Sequence, residues 1–525
     1  MKRRRIDEVD RISALPESLL HHILSFLSLE DRIRTSMLSK RWKQVWHTYP
    51  NLEFSYTIFN DVNCRRLMLK YLERTMRKRH IDMISTLKFA LRVDMGFLYH
   101  PKFETYISRC LCYAVASNVK EIKLELLFYL KLYTLPPVVF SAKSLVALEL
   151  QGCKLECFRS DVELSSLRKM SLSRVDVNDQ VLENLIAGCP LIEHLNINAC
   201  DGLKNLELSS PGKLQIFKVY NEGSELGRVY INGVNVHTAD ILMLPESCEI
   251  NITSCKNLKC LNLFTLSITD EWLRNVLSEL PRLEYLDITR CTKLRSINIS
   301  SQCLKNLVIW ICRLAKLKID TPNLCIFKYK GNTISFASNV LALSETLLQL
   351  YCGDDDSGWF MKMIELIAKF SQFAQDLDLQ VNPDEAVIIP GELRKTLQPP
   401  LTSGKHLKHK LCHSYLRFPL RELLDSLLWI SPHPETLSIA YQYSCWNKFT
   451  LKLSYKAPLV YEGGIPRCCK SHPLLCWKRC IKKVEMEHTV MTLHGQIIDV
   501  KSYSIDSVKD GNMVEKLFRI FGHRR

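Results

Sequence analysis

The residue types best suited to bind a metal lie close together near the end of the sequence. Cys468, Cys469, His472, Cys476 and Cys480 fall within 13 positions. Thiolate and imidazole groups are the ligands that zinc prefers. Structural zinc sites use tight cysteine pairs on separate arms, however, and no two of the 21 cysteines are three residues apart. We therefore predict no zinc site here, and the role of this segment stays open.

Two smaller groups carry metal-binding residue types. His406, His409, Cys412 and His413 lie in a lysine-rich stretch that the sequence predicts to be a loop, and an acidic run occupies positions 354–356. An isolated acidic run is typical of a solvated turn. Neither group predicts a metal ion.

Motifs for the common enzyme chemistries are absent from the sequence. The phosphate-binding loop Gly-x4-Gly-Lys-Ser/Thr, the dinucleotide fingerprint Gly-x-Gly-x-x-Gly, the nucleophile elbow Gly-x-Ser-x-Gly and the zinc helix His-Glu-x-x-His do not occur. We therefore expect a binding protein with no catalytic residue and no cofactor.

Composition indicates a globular chain that favours an acidic partner. Of 525 residues, 47% are hydrophobic and 24% charged, which predicts two to four domains, or one repeat array with a small module. The net charge of +16 suits an acidic protein, a nucleic acid or a membrane surface. No run of 18 apolar residues occurs, so we expect no membrane span.

The first residues and the cysteines bear on localisation. Positions 1–8 contain no apolar run, so we expect no signal peptide, reduced thiols, and a cytoplasmic and/or nuclear protein. The basic run 2–5 suits either a nuclear import signal or a plain basic tail. A second basic stretch, 74–80, has no interleaved aromatic residues, which favours a solvated helix face over contact with nucleic acid.

The spacing of residues 10–46 predicts three short helices. The pair Leu15-Pro16 opens the first, because a proline in the first turn sacrifices no hydrogen bond. Ser28 and Ser39 are placed to cap the second and third. The first helix carries an apolar face formed by Leu19, Leu20, Ile23, Leu24 and Leu27. The third helix carries Trp42, Val45 and Trp46 on one side. About 40 residues make a marginal core, which favours support from a partner.

This ordered run closely resembles the F-box of plant F-box proteins. The shared features are the Leu-Pro start, the leucine ladder and the ending Ser39-Lys40-Arg41-Trp42. The resemblance implies docking onto the Skp adaptor of a cullin–RING ubiquitin ligase. The residues that it implies for adaptor binding are Leu15, Pro16, Leu19, Leu20, Ile23, Leu24, Leu27, Trp42 and Trp46. His21 and His22 are expected to be exposed and inert. The alternative is a three-helix bundle that uses its apolar face internally.

The middle of the sequence repeats the pattern Leu-x-x-Leu-x-Leu. It recurs from Leu145 to Tyr329 at steps of 22–25 residues or of 10–11 residues. Each Leu-x-Leu predicts a short strand with its apolar side inward. The longer steps leave room for helices at 179–187 and 270–277, whereas the shorter steps should turn tightly. We expect stacked strands to form a curved parallel sheet with helices and turns on the convex side.

Five cysteines recur at the turn that follows a repeat strand, where a small buried side chain with a weak S–H donor fits: Cys153, Cys200, Cys255, Cys291 and Cys312. These repeats resemble those of plant F-box/leucine-rich-repeat proteins, and earlier strands are expected near 87–93 and 122–126. The segment 468–486 resembles the C-terminal region of such proteins near the FBD domain, which implies a cap over the open end of the sheet.

Together these patterns predict an α/β repeat fold: a three-helix F-box, a curved leucine-rich-repeat solenoid and a C-terminal cap. The expected boundaries are 8–54 for the F-box, 55–115 for a connecting helical and first-repeat region, 116–350 for the repeats, 351–455 for degenerate repeats with a long loop over 381–422, and 456–525 for the cap.

The function implied by the resemblance is that of a substrate-recognition subunit of an SCF-type ligase. It would bind the Skp-type adaptor, and through it cullin and RING subunits, and would hold an unidentified target on the repeats. No membrane and no direct nucleic-acid contact are expected. The alternative is a repeat scaffold or a basic nucleic-acid-associated protein that joins no ligase.

Overall fold

The structure is a computed structural model, and the chain forms two compact units, Met1–Leu258 and Lys259–Arg525. The residues that it describes are 12–55, 62–82, 84, 86–96, 101–128, 132–156, 162–209, 212–222, 225–340, 343–353, 358–370, 376–401, 406–411, 420–432, 434–444, 447–455, 481–491 and 497–506.

The first unit begins with three short helices and continues into alternating strands and helices. Its first elements are α1 (Glu17–Ser25), α2 (Leu29–Ser36), α3 (Lys40–Thr48), β1 (Asn51–Ser55), α4 (Val62–Ile81), β2 (Lys88–Gly96), α5 (Pro101–Ala116) and β3 (Glu121–Phe128). The early strands predicted near 87–93 and 122–126 are confirmed as β2 and β3.

The repeats of the first unit follow. Their elements are β4 (Tyr133–Thr134), β5 (Ala147–Gln151), β6 (Cys153–Lys154), β7 (Lys169–Ser173), α6 (Asp179–Ala187), β8 (His194–Asn198), β9 (Asn205–Ser209), β10 (Ile216–Tyr220), β11 (Arg228–Asn232), β12 (Thr238–Leu242) and β13 (Glu249–Asn251). β1, β2, β3, β5, β7, β8, β10 and β12 pair in parallel in that order. The Leu-x-Leu side chains of these strands point inward and are buried.

The second unit continues the pattern. Its elements are β14 (Cys260–Phe264), α7 (Asp270–Glu279), β15 (Tyr285–Thr289), β16 (Ser296–Ser300), β17 (Asn306–Trp310), β18 (Lys316–Asp320), β19 (Ile326–Gly331), β20 (Ser335–Asn339), β21 (Glu345–Tyr351), α8 (Trp359–Ala368), β22 (Asp376–Asn382), α9 (Gly391–Thr396), β23 (His406–Lys410), α10 (Leu420–Ile430), β24 (Thr436–Ser444), β25 (Asn447–Tyr455), β26 (Ile481–Met491) and β27 (Ile497–Asp506). The parallel order is β14, β15, β17, β19, β21, β22, β23 and β24.

The sequence predicts one stacked sheet, but the strands of the short steps alternate between two sheets. In each unit the intervening strands form a second parallel sheet, β9–β11–β13 in the first and β16–β18–β20 in the second. Ten or eleven residues are too few for a helix but enough for another extended Leu-x-Leu segment. A strand therefore takes the place that a helix occupies in the longer repeats.

The two predicted helices are confirmed as α6 and α7. Asn178 and Thr269 cap them by accepting backbone N–H groups of Val181 and Trp272. The first acidic residue of each helix also binds the following repeat. In α6 the Asp179 carboxylate accepts the N–H of Lys204 at 2.8 Å and that of Asn205 at 3.0 Å, and Asp270 does the same in α7. The acidic helix start is thus a link between repeats.

Several strands of the main sheets are followed by a residue with a left-handed backbone. The residues after β5, β7, β8, β12, β14, β15 and β17 have φ between 49° and 72° and are Gly152, Arg174, Ala199, Met243, Thr265, Arg290 and Ile311. The N–H of six of them still donates to the neighbouring strand, as from Arg174 to the Asn198 carbonyl at 2.8 Å. In these six strands the turn ends the strand and keeps a ladder hydrogen bond.

The turn cysteines are buried, as predicted. Cys200, Cys255, Cys291 and Cys312 each place Sγ 3.6–3.8 Å from a carbonyl oxygen of an earlier strand. Burial raises the pKa of Cys200 and of Cys312 to about 11, so these thiols stay protonated at neutral pH. Their role is packing and weak hydrogen bonding.

The long loop predicted over 381–422 is wrong where the structure describes it. Helix α9 and strand β23 occupy part of this range, and β23 pairs in parallel with β22 and β24. Past β24 the sheet turns antiparallel through β25, β26 and β27. The cysteine-rich part of the predicted cap, 456–480, lies outside the described residues, so capping stays a prediction.

Candidate functional site

Helix α1 presents two neighbouring apolar rows that face in different directions. Leu20 and Leu24 are fully buried. Leu19, Ile23 and Phe26 follow one another at the spacing of a helical face, and Leu19 and Phe26 are 48% and 77% exposed. We call these three residues the α1 row. Because Leu20 and Leu24 already supply the contacts of α1 with the helical core, the α1 row is available to a partner.

The structure divides the nine residues implied for adaptor binding into two groups. Leu20, Leu24, Trp42 and Trp46 are buried in the helical core, whereas the others reach the surface at least in part: Leu15, Pro16, Leu19, Ile23 and Leu27. The buried residues can support a docking surface only from beneath. Contact with an adaptor stays a prediction for the surface group.

Polar contacts fix α1 against α3. Nε2 of His21 lies 3.2 Å from the Val45 carbonyl oxygen and 3.1 Å from Oγ1 of Thr48, and the Thr48 hydroxyl also donates to Glu17. His21 is therefore part of the packing, and the prediction that it is exposed and inert is wrong. Its neighbour His22 is exposed and lies edge-on to the Phe26 ring.

A buried arginine, which sequence reasoning missed, joins all three helices. Nε of Arg32 donates to the carbonyl oxygens of Leu24 at 2.8 Å and Leu27 at 2.9 Å, and its guanidinium lies 5.1 Å from the Tyr49 ring centroid. These carbonyls lie at the end of α1 and just after it, where acceptor capacity is left over, and that of Leu24 also accepts the Leu27 N–H at 3.1 Å. A charged residue on a short polar helix gives no sequence signal of such burial.

We expect Arg32→Met to loosen the helical module by about 2 kcal/mol, because it removes a charged donor from two carbonyl groups. Hydrogen exchange of peptides covering α1 to α3 in the full chain should speed up about 30-fold for the most protected amides. The control Arg34→Met changes an exposed side chain on the same helix and should leave these rates nearly unchanged. Equal protection in both variants would contradict the role given to Arg32.

Further exposed apolar residues lie beside basic ones at the junction of α2 and α3. Met37 and Leu38 are about three-quarters exposed, and Lys40 and Lys43 follow on the surface. The Ser39 hydroxyl accepts the Trp42 N–H at 3.2 Å, which confirms the predicted cap. The predicted Ser28 cap is confirmed by the same geometry at Asp31. Exposed apolar side chains with a basic flank suit the burial of a protein partner.

The candidate metal-binding groups gain no support from the structure. His406 and His409 are three positions apart on β23, an odd separation that places their rings on opposite faces, and only the His409 ring is buried. Residues 354–356, 412–413 and 468–480 lie outside the described residues. Within the described ranges, no three metal-ligating side chains come together, and no helix is both long and apolar enough to cross a membrane.

Comparison with known families separates the chain into three matched segments. The F-box domain model matches residues 12–54, and the leucine-rich repeats of the FBD-associated F-box protein At5g56370 match residues 107–232. The leucine-rich-repeat domain of At1g61320/AtMIF1 matches residues 242–354. The first segment contains the α1 row, and the others contain most of the paired sheets.

Several Arabidopsis thaliana proteins are similar to this chain. The putative F-box protein At1g49610 is 30% identical over 236 residues, which are 44% of this chain and 56% of that protein. F-box/LRR-repeat protein 25 is 30% identical over 208 residues, 39% of this chain and 74% of the relative. The FBD-associated F-box protein At1g66310 is 31% identical over 281 residues, 52% of this chain and 56% of the relative.

The match thus spans little more than half the length of two of these relatives and about three-quarters of the third. The order of an F-box segment followed by leucine-rich repeats agrees with the order of elements in the structure. The chain belongs to the F-box/leucine-rich-repeat family of plants.

Proposed function

We propose that this protein is the substrate-recognition subunit of an SCF-type cullin–RING ubiquitin ligase. In this proposal the helical module, 8–54, docks on a Skp-type adaptor, and the repeats hold a target protein. The chain does no chemistry itself. It raises the effective concentration of a target lysine near charged ubiquitin, and other subunits perform the transfer.

The observation that carries this proposal is the exposed α1 row within the segment that matches the F-box model. A helix that turns Leu19 and Phe26 to water gains nothing in folding, whereas burial of such side chains against a partner contributes about 1.5 to 3 kcal/mol each. The buried residues Leu20, Leu24, Trp42 and Trp46 hold α1 in place for that contact.

The finer architecture belongs to the same proposal. We infer that the parallel sheets of residues 116–350 curve into a solenoid, that 351–455 extends it with degenerate repeats, and that 456–525 caps it. Parallel in-register pairing of successive strands supports the repeats. We further propose residence in the cytoplasm and/or nucleus, which the free thiols of Cys153, Cys200 and Cys291 support.

The test is binding of the full-length chain to a purified plant Skp adaptor, measured by biolayer interferometry. We expect Leu19→Glu to weaken binding about 30-fold, because it places a carboxylate at the centre of the apolar contact. The matched control is Val234→Glu, another exposed apolar position, which lies in the repeats and should bind as the parent does. Both variants should retain the parent unfolding temperature.

Adaptor binding that is undetectable for the well-folded parent, or equal for Leu19→Glu and the parent, would contradict the proposal. A repeat scaffold outside any ligase would give the first of these results. A nucleic-acid-associated protein would instead bind a single-stranded oligonucleotide with a steep dependence on salt, and would lose that binding when the cluster 74–79 is neutralised.

A further inference from the structure

Aromatic and cationic side chains meet on the open face of the second unit, where strands β14, β15, β17, β19 and β21 end. We call the following residues the strand-end surface: Phe264, Arg290, Trp310, Ile311, Lys330 and Tyr351. Trp310 is in register with Lys330 on the next strand. Nζ of Lys330 lies 5.9 Å from the ring centroid of Trp310 and 5.9 Å from that of Tyr351.

A similar pairing of a cation with an aromatic ring occurs two strands earlier in the sheet, at β14 and β15. The Arg290 guanidinium lies 5.8 Å from the centroid of the Phe264 ring. Phe264, Thr289, Trp310 and Lys330 occupy one register row, so their side chains share a face of the sheet. The surface is therefore continuous across four strands.

Folding does not account for the apolar members of this surface. Trp310 and Ile311 are 37% and 38% exposed. Ile311 also has φ of 55°, a left-handed backbone that costs a β-branched residue on the order of 1 kcal/mol. Two adjacent large apolar side chains that face water from a strained turn are suited to contact with a partner.

The charges of the strand-end surface favour an acidic partner. Arg290 and Lys330 form no ion pair within the part of the chain that the structure describes, whereas neighbouring Lys328 is paired with Glu345 at 3.3 Å. The acid closest in register is Asp287, which accepts the Thr289 hydroxyl at 2.6 Å. Burial raises the pKa of Asp287, and within the described residues its carboxylate forms no ion pair with Arg290 or Lys330.

We propose that the strand-end surface binds an acidic peptide segment of a target protein. The segment pairs a carboxylate with Lys330 or Arg290 and lays an aromatic or large aliphatic side chain on Trp310 and Ile311. This inference rests on the proposed function, because it assigns the target chemistry to one part of the repeats.

A nucleic acid is a poorer fit for the same residues. A single strand stacks its bases on aromatic rings but needs a row of cations that follows consecutive phosphates. Among the described residues, the strand-end surface has two cations without an ion pair, Arg290 and Lys330, and Asp287 and Asp378 occupy the adjoining row of the same face. Carboxylates in that row repel phosphates, whereas a short peptide can place its acidic groups over the two cations alone.

The experiment is selection of a random peptide display library on the purified full-length protein, without adaptor. We expect the selected peptides to be enriched in Asp and Glu beside an aromatic or large aliphatic residue. Fluorescence polarisation of a selected peptide should show about tenfold weaker binding for Trp310→Ala and for Lys330→Glu. Because no adaptor is present, this result is independent of the ligase assignment.

The matched controls are Met361→Ala, an exposed apolar residue on α8, and Lys318→Glu, an exposed lysine on the second sheet. Both should bind the peptide as the parent does, and all four variants should keep the parent unfolding temperature. The proposal is overturned if selected peptides show no acidic enrichment, or if the controls lose as much affinity as Trp310→Ala and Lys330→Glu. Tighter binding of a single-stranded oligonucleotide to the same surface would also overturn it.

Discussion

Replacing Gly152 with alanine should destabilise the first unit by about 3 kcal/mol, roughly a 150-fold shift toward unfolding. Gly152 ends β5 with φ of 72°, and its N–H donates to the Ser173 carbonyl at 3.1 Å. A Cβ at this position would overlap the carbonyl oxygen of Leu126 on the adjacent strand β3 and lie 2.9 Å from its carbonyl carbon. The obstacle is backbone, so no side-chain rotation relieves it.

A comparison with the other strand ends separates the two causes of this effect. Ala199 ends β8 with φ of 49°, so a Cβ in a left-handed turn is tolerated there. The left-handed backbone by itself costs on the order of 1 kcal/mol. The larger part of the loss at Gly152 therefore comes from the close approach of Leu126.

Hydrogen exchange of the peptides that cover β3, β5 and β7 in the full chain measures this loss region by region. The matched control is Gly227→Ala in the same unit, where the nearest described atom to a Cβ would be the Lys204 carbonyl oxygen at 3.7 Å. That substitution should be neutral or slightly stabilising, because alanine has less conformational freedom to lose on folding. Similar protection in Gly152→Ala and Gly227→Ala would show that β3 and β5 are not in close contact at this point.

The sequence was sufficient to predict many of the strands whose inward positions are large and aliphatic, but not β11, where Val229 and Ile231 point inward. Leu148 and Leu150 in β5, or Leu286 and Ile288 in β15, stand out by period alone. β12 was missed because Ala239 fills one inward position, and β23 because a histidine, His409, fills another. In both strands the side chain is buried because neighbouring parts of the chain cover it, which the local sequence pattern does not indicate.

The candidate site shows the same limit. The spacing of Leu19, Leu20, Ile23 and Leu24 predicts an apolar helix face, but both rows are apolar, so periodicity does not tell which one faces α3. That choice depends on the indole rings of Trp42 and Trp46 and on Arg32, which fill the space beneath α1. Side-chain packing between helices supplies information that spacing along one helix lacks.

His409 should make the second unit lose stability as the pH falls from about 6.5 to about 4. The imidazole is fully buried in β23, and burial lowers its pKa from 6.5 to about 4, although Nδ1 donates to the Leu379 carbonyl at 2.8 Å and the nearby Asp384 favours the charged form. The folded state thus holds the neutral ring. The neutral ring contributes its full stabilisation above pH 6.5, the pKa of the ring in the unfolded chain. Below that pH the unfolded chain binds a proton that the folded protein does not bind, so the free energy of unfolding falls.

The pKa difference between the unfolded and folded states sets the size of this loss of stability. Each pKa unit corresponds to about 1.4 kcal/mol, so the free energy of unfolding should fall by about 3 kcal/mol between pH 7 and pH 4. His409→Asn keeps an N–H donor near the Leu379 carbonyl but cannot be protonated. It should therefore be less stable than the parent at pH 7, because it leaves space unfilled, and should lose less stability on acidification.

Hydrogen exchange of peptides from β22, β23 and β24, corrected for the pH dependence of intrinsic exchange, gives the stability difference at each pH. The difference in free energy of unfolding between the parent and His409→Asn should narrow by about 3 kcal/mol as the pH falls. Most of this change should occur between the unfolded and folded pKa values of the ring. A gap that stays constant from pH 7 to pH 4 would mean that the ring is not held neutral by burial. The inward position of His409 would then contribute to packing alone.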